Sequence, residues 1–191
     1  MKDPRIRELD ARSYMKRLGA MLDVYTAAMD PPTDQLPGRR TIMERHATYP
    51  AFRAYVAERR RSLVGFVYGF HGEIGQWWHD VVYQALTDRG RGQADLWLTN
   101  PFEVAELHVH PAHQGQGIGR RLLETICADR PESTVVLSTL DRPDSRARRL
   151  YYSVGMTDLL TGFEFPGGGP RYAVMAAPLP LAAKASTPKS A

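Results

Sequence analysis

A chain of 191 residues with 43% hydrophobic side chains can bury the core of one α/β domain and is too short for two of ordinary size. Its 25 Lys and Arg against 21 Asp and Glu leave a net charge of +4, which draws anions. The basic runs Arg59-Arg60-Arg61, Arg120-Arg121 and residues 146–149 lack the interleaved aromatics of a nucleic-acid groove, so no nucleic-acid partner is expected. A single cysteine, Cys127, excludes an internal disulfide. No uncharged apolar run nears the roughly 20 residues that cross a bilayer, and the N-terminus has no apolar leader, so the expectation is a cytoplasmic protein with no membrane partner.

In chain order, Tyr14, Leu18, Met21, Leu22 and Tyr25 recur at helical spacing and predict a helix over residues 12–29, stopped by Pro31-Pro32. Residues 31–38 read as loop, and residues 39–48 as a second helix before Pro50. The β-rich runs 52–57 and 63–70, joined by the charged segment 58–62, predict an antiparallel hairpin. Residues 71–100 read as a lid-like insertion holding one short helix, with Trp77, Trp78 and Tyr83 as candidates either for packing or for lining a substrate pocket. Residues 102–109 predict a strand, 117–128 a helix that buries Cys127, and 133–140 a buried strand. Residues 144–153 predict a helix ended by Gly155, and 159–165 and 172–177 two closing strands. The domain thus spans residues 1–177, and the Pro/Ala/Lys/Ser composition from 178 to 191 reads as a disordered tail.

The densest signal is the passage from strand 102–109 through Pro111 into Gln114-Gly-Gln-Gly-Ile-Gly119 and directly into a helix. Glycines lacking Cβ let consecutive backbone N–H groups close on an anion, and the helix turns its positive end to the same place. A pyrophosphate suits that cradle. The spacing is neither G-x-x-x-x-G-K-[ST] nor G-x-G-x-x-G, and no lysine follows the glycines, which argues against a phosphoryl-transfer loop of another α/β enzyme.

What fits is a Q/R-x-x-G-x-G/A pattern after Val109-His-Pro111, a helix carrying Leu122-Leu123, a further strand, and Arg149-Leu-Tyr-Tyr-Ser-Val-Gly-Met156. In this order the segments resemble the GCN5-related N-acetyltransferase (GNAT) superfamily over residues 52–177. The resemblance implies an α/β (α+β) fold: one domain with a central mixed, mostly antiparallel sheet, splayed central strands and flanking helices. It implies direct transfer of an acetyl group from acetyl-CoA to a primary amine of a small molecule or peptide in a ternary complex, with no metal. The alternative is a non-catalytic acyl-CoA-binding or regulatory module on the same fold. Many relatives pair as dimers, which makes a homodimer an expectation here as well.

By the same resemblance the cofactor lies along Leu107, His108 and Val109 and on Gln114, Gly115, Gln116, Gly117, Ile118, Gly119 and Arg120. Asp144 stands near the position where many members carry an asparagine. Glu103 and Glu106 are both candidates for the base that deprotonates the amine, since in an ideal strand they face opposite sides and a bulge would reverse that order. Tyr151 falls on the family's Leu-Tyr position as the acid for the leaving thiolate, with Tyr152 as its fallback. His108 and His110 could relay protons or simply pack, and His108, His110 and His113 lack the further carboxylate or cysteine of a metal site.

Overall fold

The computed structural model describes residues 3–181, apart from the Arg91 side chain; of the tail expected over 178–191, Pro178 instead ends a strand and the Leu179 N–H donates to the Ser133 carbonyl at 2.9 Å, while residues 182–191 lie outside the described residues. The chain forms two compact units, one comprising the residues up to Gly72 with Phe102–Ala128, the other Glu73–Pro101 with the residues from Asp129 onward. Both are mixed α/β with antiparallel strands and flanking helices, the predicted fold class.

In the first unit, β1 (Arg5–Leu9), β2 (Arg53–Arg59), β3 (Ser62–His71) and β4 (Pro101–Val109) pair in sequence order, each antiparallel to the next. The helix α1 (Ala11–Met29) starts where the Asp10 side chain accepts from the Ser13 N–H at 2.7 Å and ends at Asp30 in a left-handed conformation. Its buried stripe of Tyr14, Leu18, Met21, Val24 and Tyr25 joins Met43 of α2 (Leu36–His46) over Ala54, Val56, Phe66, Tyr68 and Phe70 of the sheet. The helix α5 (Ile118–Cys127) packs against β2 and β3; at Gly65 a Cβ would meet the His108 carbonyl at 3.1 Å and the Leu122 side chain at 3.3 Å.

Two backbone features of this unit bear on the site. Register pairs Tyr68 with Glu106 but Gly69 with Val104, so Ala105 is an extra residue and β4 bulges there. At the β2–β3 turn, Arg60 (φ 50°) and Arg61 (φ 69°) are both left-handed. A two-residue hairpin with positive φ at both positions prefers Asn-Gly; side chains with a Cβ cost roughly 1–2 kcal/mol each there.

In the second unit, β5 (Thr134–Leu140), β7 (Tyr172–Pro178) and β6 (Thr157–Phe163) pair antiparallel in that order. Their apolar face, with Val136, Leu160, Val174 and Ala176, is covered by Val82 and Leu86 of α3 (Trp77–Thr87) and by Ala94 and Leu98 of α4 (Arg91–Leu98). The segment read as one short helix in an insertion therefore holds two helices that complete a core. The helix α6 (Arg146–Tyr152) starts on the Ser145 hydroxyl, and Gly155 (φ 90°) ends its turn by donating to the Tyr152 carbonyl at 3.0 Å, as the glycine-cap reading expected.

Candidate active site

Across an antiparallel pair, opposed residues project to the same face, so register decides where the two candidate carboxylates point. Glu103 opposes Phe70, Glu106 opposes Tyr68 and His108 opposes Phe66; these three aromatics share one face of β3 and one core cluster. The bulge at Ala105 thus brings Glu103, Glu106 and His108 onto a single face, under α1 and α2. The opposite facing expected of an ideal strand does not hold, because the extra residue reverses the alternation between the two glutamates.

Their electrostatics differ sharply. Glu106, 8% exposed, accepts from Arg39 Nη1 at 2.8 Å and sits 2.5 Å from His108 Nε2. Burial alone would raise its pKa; the hydrogen bond and charge of His108, then the Arg39 guanidinium, outweigh burial and hold it below the ordinary carboxylate value. Arg39 is itself placed over the Tyr25 ring, 4.9 Å from the centroid. Glu103, 4% exposed, has no such company: its Oε2 is buried without a hydrogen-bond partner, and desolvation pushes its pKa up to about 8. One carboxyl is therefore ionised and clamped, the other protonated at neutral pH.

Around them lie phenols and a silent histidine. Burial and the nearby Glu106 charge push the Tyr14 and Tyr68 hydroxyls far above the ordinary phenol range, so both serve as neutral hydrogen-bonding groups. The Tyr14 hydroxyl donates to the Met43 carbonyl at 3.2 Å, and the Tyr68 hydroxyl is 3.1 Å from His46 Nδ1. Burial pushes His46 down to about 4, leaving it uncharged. His108 packs edge-on against Tyr25, with ring centroids 5.2 Å apart, and its Nδ1 has no hydrogen-bond partner among the described residues. When the ring is neutral, Nε2 is the donor to Glu106 and Nδ1 carries the lone pair, a tautomer assigned from this network; when it is protonated, both nitrogens donate.

The glycine turn is open to solvent from Gln114 to Gly117. Gly115 (φ 74°) and Gly117 (φ 76°) are left-handed, with empty space where a Cβ would stand. Gly117 caps the ten-residue α5, whose first N–H groups have no intrahelical acceptor. Ile118 is buried beneath the turn, while Gly119 and Arg120 form the first helical turn, Arg120 pairing with Glu124 at 3.1 Å. These features fit a diphosphate: no heavy atom lies within 4 Å of the Cβ positions of Gly115 and Gly117, and the first N–H groups of α5 are left without an intrahelical acceptor. Leu107, His108 and Val109 end β4 beside it, and the Val109 carbonyl accepts from the Gln114 side-chain amide at 3.0 Å.

Of the remaining candidates, Tyr151 is buried on α6 in the second unit, whereas the fallback Tyr152 is committed, donating to Asp158 Oδ2 and accepting from Arg148 Nη2, each at 2.5 Å. Asp144 is exposed, and its backbone carbonyl accepts from Arg149 at 2.9 Å. The acceptor candidates on α3 separate. Trp78 donates to Ser138 Oγ at 3.2 Å and Tyr83 to Asp95 at 2.7 Å, both packed on the second core, while Trp77 is 55% exposed and rests 5.5 Å from the Phe165 ring. Among the described residues no three His, Cys, Asp or Glu side chains gather as metal ligands, and no helix is long and apolar enough to cross a membrane. Arg39 was not anticipated: it lies 67 positions from Glu106, and nothing local in the sequence marks it.

A solvent-facing glycine cradle at a helix start is what the resemblance led one to expect, and the comparisons show the family. The acetyltransferase (GNAT) domain model matches residues 50–155, and the chain belongs to that family. It is 37% identical over 200 residues to the GCN5-like protein acetyltransferase Rv2170 of Mycobacterium tuberculosis, covering 91% of this chain and 97% of that protein. Among solved structures, the ribosomal-protein-S18-alanine N-acetyltransferase of Escherichia coli superposes with a TM-score of 0.62 at 16% identity, covering 96% of this chain and 99% of that one. The yncA protein of Salmonella typhimurium, solved with its cofactor acetyl-CoA, gives 0.62 at 18% identity over 100% of both chains. The protein is an N-acetyltransferase.

Proposed function

We propose that the protein transfers the acetyl group directly to a primary amine of a protein or peptide, with His108, oriented by Glu106, as the base. The carrying observation is the clamp on β4: Arg39 and His108 both engage Glu106, which leaves His108 Nδ1 open. The relative that shares 37% identity is named a protein acetyltransferase, which favours a lysine or N-terminal amine over a small molecule.

Bound acetyl-CoA supplies an activated thioester. At neutral pH the acceptor arrives as an ammonium and must lose a proton before its lone pair can attack. His108 Nδ1 takes that proton, and Glu106, already ionised, stabilises the imidazolium and fixes the ring. As the nitrogen–carbon bond forms and the carbon–sulfur bond breaks, the Tyr151 hydroxyl returns a proton to the thiolate. The family's Leu-Tyr position supports that last role.

The test measures thiol release with lysine peptides, N-terminal peptides and small amines. His108→Gln is expected to lower kcat by about 10²–10⁴-fold and to flatten the acidic limb of the pH profile. Wild-type turnover in that variant would refute the base; turnover confined to small amines would refute the protein acceptor.

A further inference from the structure

The β2–β3 turn stands out on three counts. Arg60 and Arg61 hold a left-handed turn that Asn-Gly would hold without strain. Arg59 at its base reaches the glycine cradle, with Nη1 donating to Gln116 Oε1 at 2.8 Å and lying 3.4 Å from His113 Nδ1, while its Nε is buried without a partner. The three arginines also have no carboxylate within ion-pair distance among the described residues. The adjacent Glu58 is taken by Arg17 at 2.5 Å and Arg7 at 3.6 Å. The helix arginines beside the cradle, by contrast, are balanced by acids, Arg120 by Glu124 and Arg121 by Asp3.

Uncompensated cations beside an anion cradle, on a strained turn, mark a site for a further anion. Coenzyme A carries one: besides the diphosphate, its ribose bears a 3′-phosphate. We propose that the Arg59–Arg60–Arg61 turn is the seat of that 3′-phosphate, so that the protein distinguishes coenzyme A from dephospho-coenzyme A through the hairpin and not through α5. Arg59 couples the two subsites, since it holds the loop glutamine with one nitrogen and leaves another for the ligand. The inference rests on the coenzyme A reading of the cradle.

The experiment is calorimetric titration of the full chain with coenzyme A and with dephospho-coenzyme A, for the wild type and for the double variant Arg60→Asn, Arg61→Gly. Asn-Gly suits the turn, so the variant keeps its fold, which a thermal melt verifies. The wild type is expected to bind dephospho-coenzyme A about tenfold more weakly, and the variant to lose about tenfold in coenzyme A affinity and to bind both ligands alike. Equal binding of both by the wild type, or a preference that survives in the variant, overturns the hairpin assignment. A wild type that binds neither overturns the coenzyme A reading itself.

Discussion

The buried carboxyl of Glu103 makes a measurable demand on stability. Its pKa rises from 4.5 to about 8 through desolvation, which at about 1.4 kcal/mol per unit amounts to about 5 kcal/mol. The folded protein holds the proton more tightly than the unfolded chain. Stability is therefore undiminished below pH 4.5, falls as pH rises towards 8, and stays lower beyond it. Replacing Glu103 with Gln removes the titration while keeping the shape. The amide adds an offset that does not depend on pH, so the slope carries the test. Urea denaturation at several pH values between these limits should show the wild type losing about 1.4 kcal/mol per pH unit relative to the variant. At pH 8 the accumulated difference should approach 5 kcal/mol. Parallel stability curves would refute the claim that this carboxyl is buried and neutral in the folded state.

Other perturbations separate structure from chemistry. Trp77→Ala should raise the acceptor KM with little change in Tm, whereas Trp78→Ala should lower stability by about 3–5 kcal/mol through lost packing; matched effects on Tm would refute the distinction. Gly69→Ala should destabilise severely, because its Cβ would lie 2.3 Å from the Glu103 carbonyl and 2.7 Å from Phe102; a wild-type melt would contradict the close approach. Gly117→Val should weaken coenzyme A binding in calorimetry by imposing a side chain on a left-handed residue at the cradle, and unchanged affinity would show that the turn is not the seat. Arg39→Met should weaken the hold on Glu106 and shift the acidic limb of the pH–rate profile, while unchanged profiles would disconnect Arg39 from the base.

The elements that were legible carry strong periodicity or punctuation: α1 through its apolar stripe, the hairpin through its β-branched and aromatic runs, the cradle through its glycines. β1 escaped notice because an edge strand with the pattern Arg-Ile-Arg-Glu-Leu buries only Leu9 and offers no alternation. The start of α2 was hidden by Pro37-Gly38, which reads as loop although proline is well tolerated in a first helical turn. The polar sequence after Thr87 obscured α4, whose helical state depends on packing Ala94 and Leu98 against strands distant in sequence. At the site, both glutamates were visible as residues, but their common face depends on a one-residue irregularity against β3. Arg39 depends on a tertiary contact that no spacing encodes.

The bulge at Ala105 also bears on how such a site diverges. A single inserted or deleted position between Glu103 and Glu106 would swing the two acids to opposite sides of the ribbon without altering any side chain. In this architecture, an indel inside β4 changes which acids share a face, and alignments that count positions without checking register will pair the wrong acids.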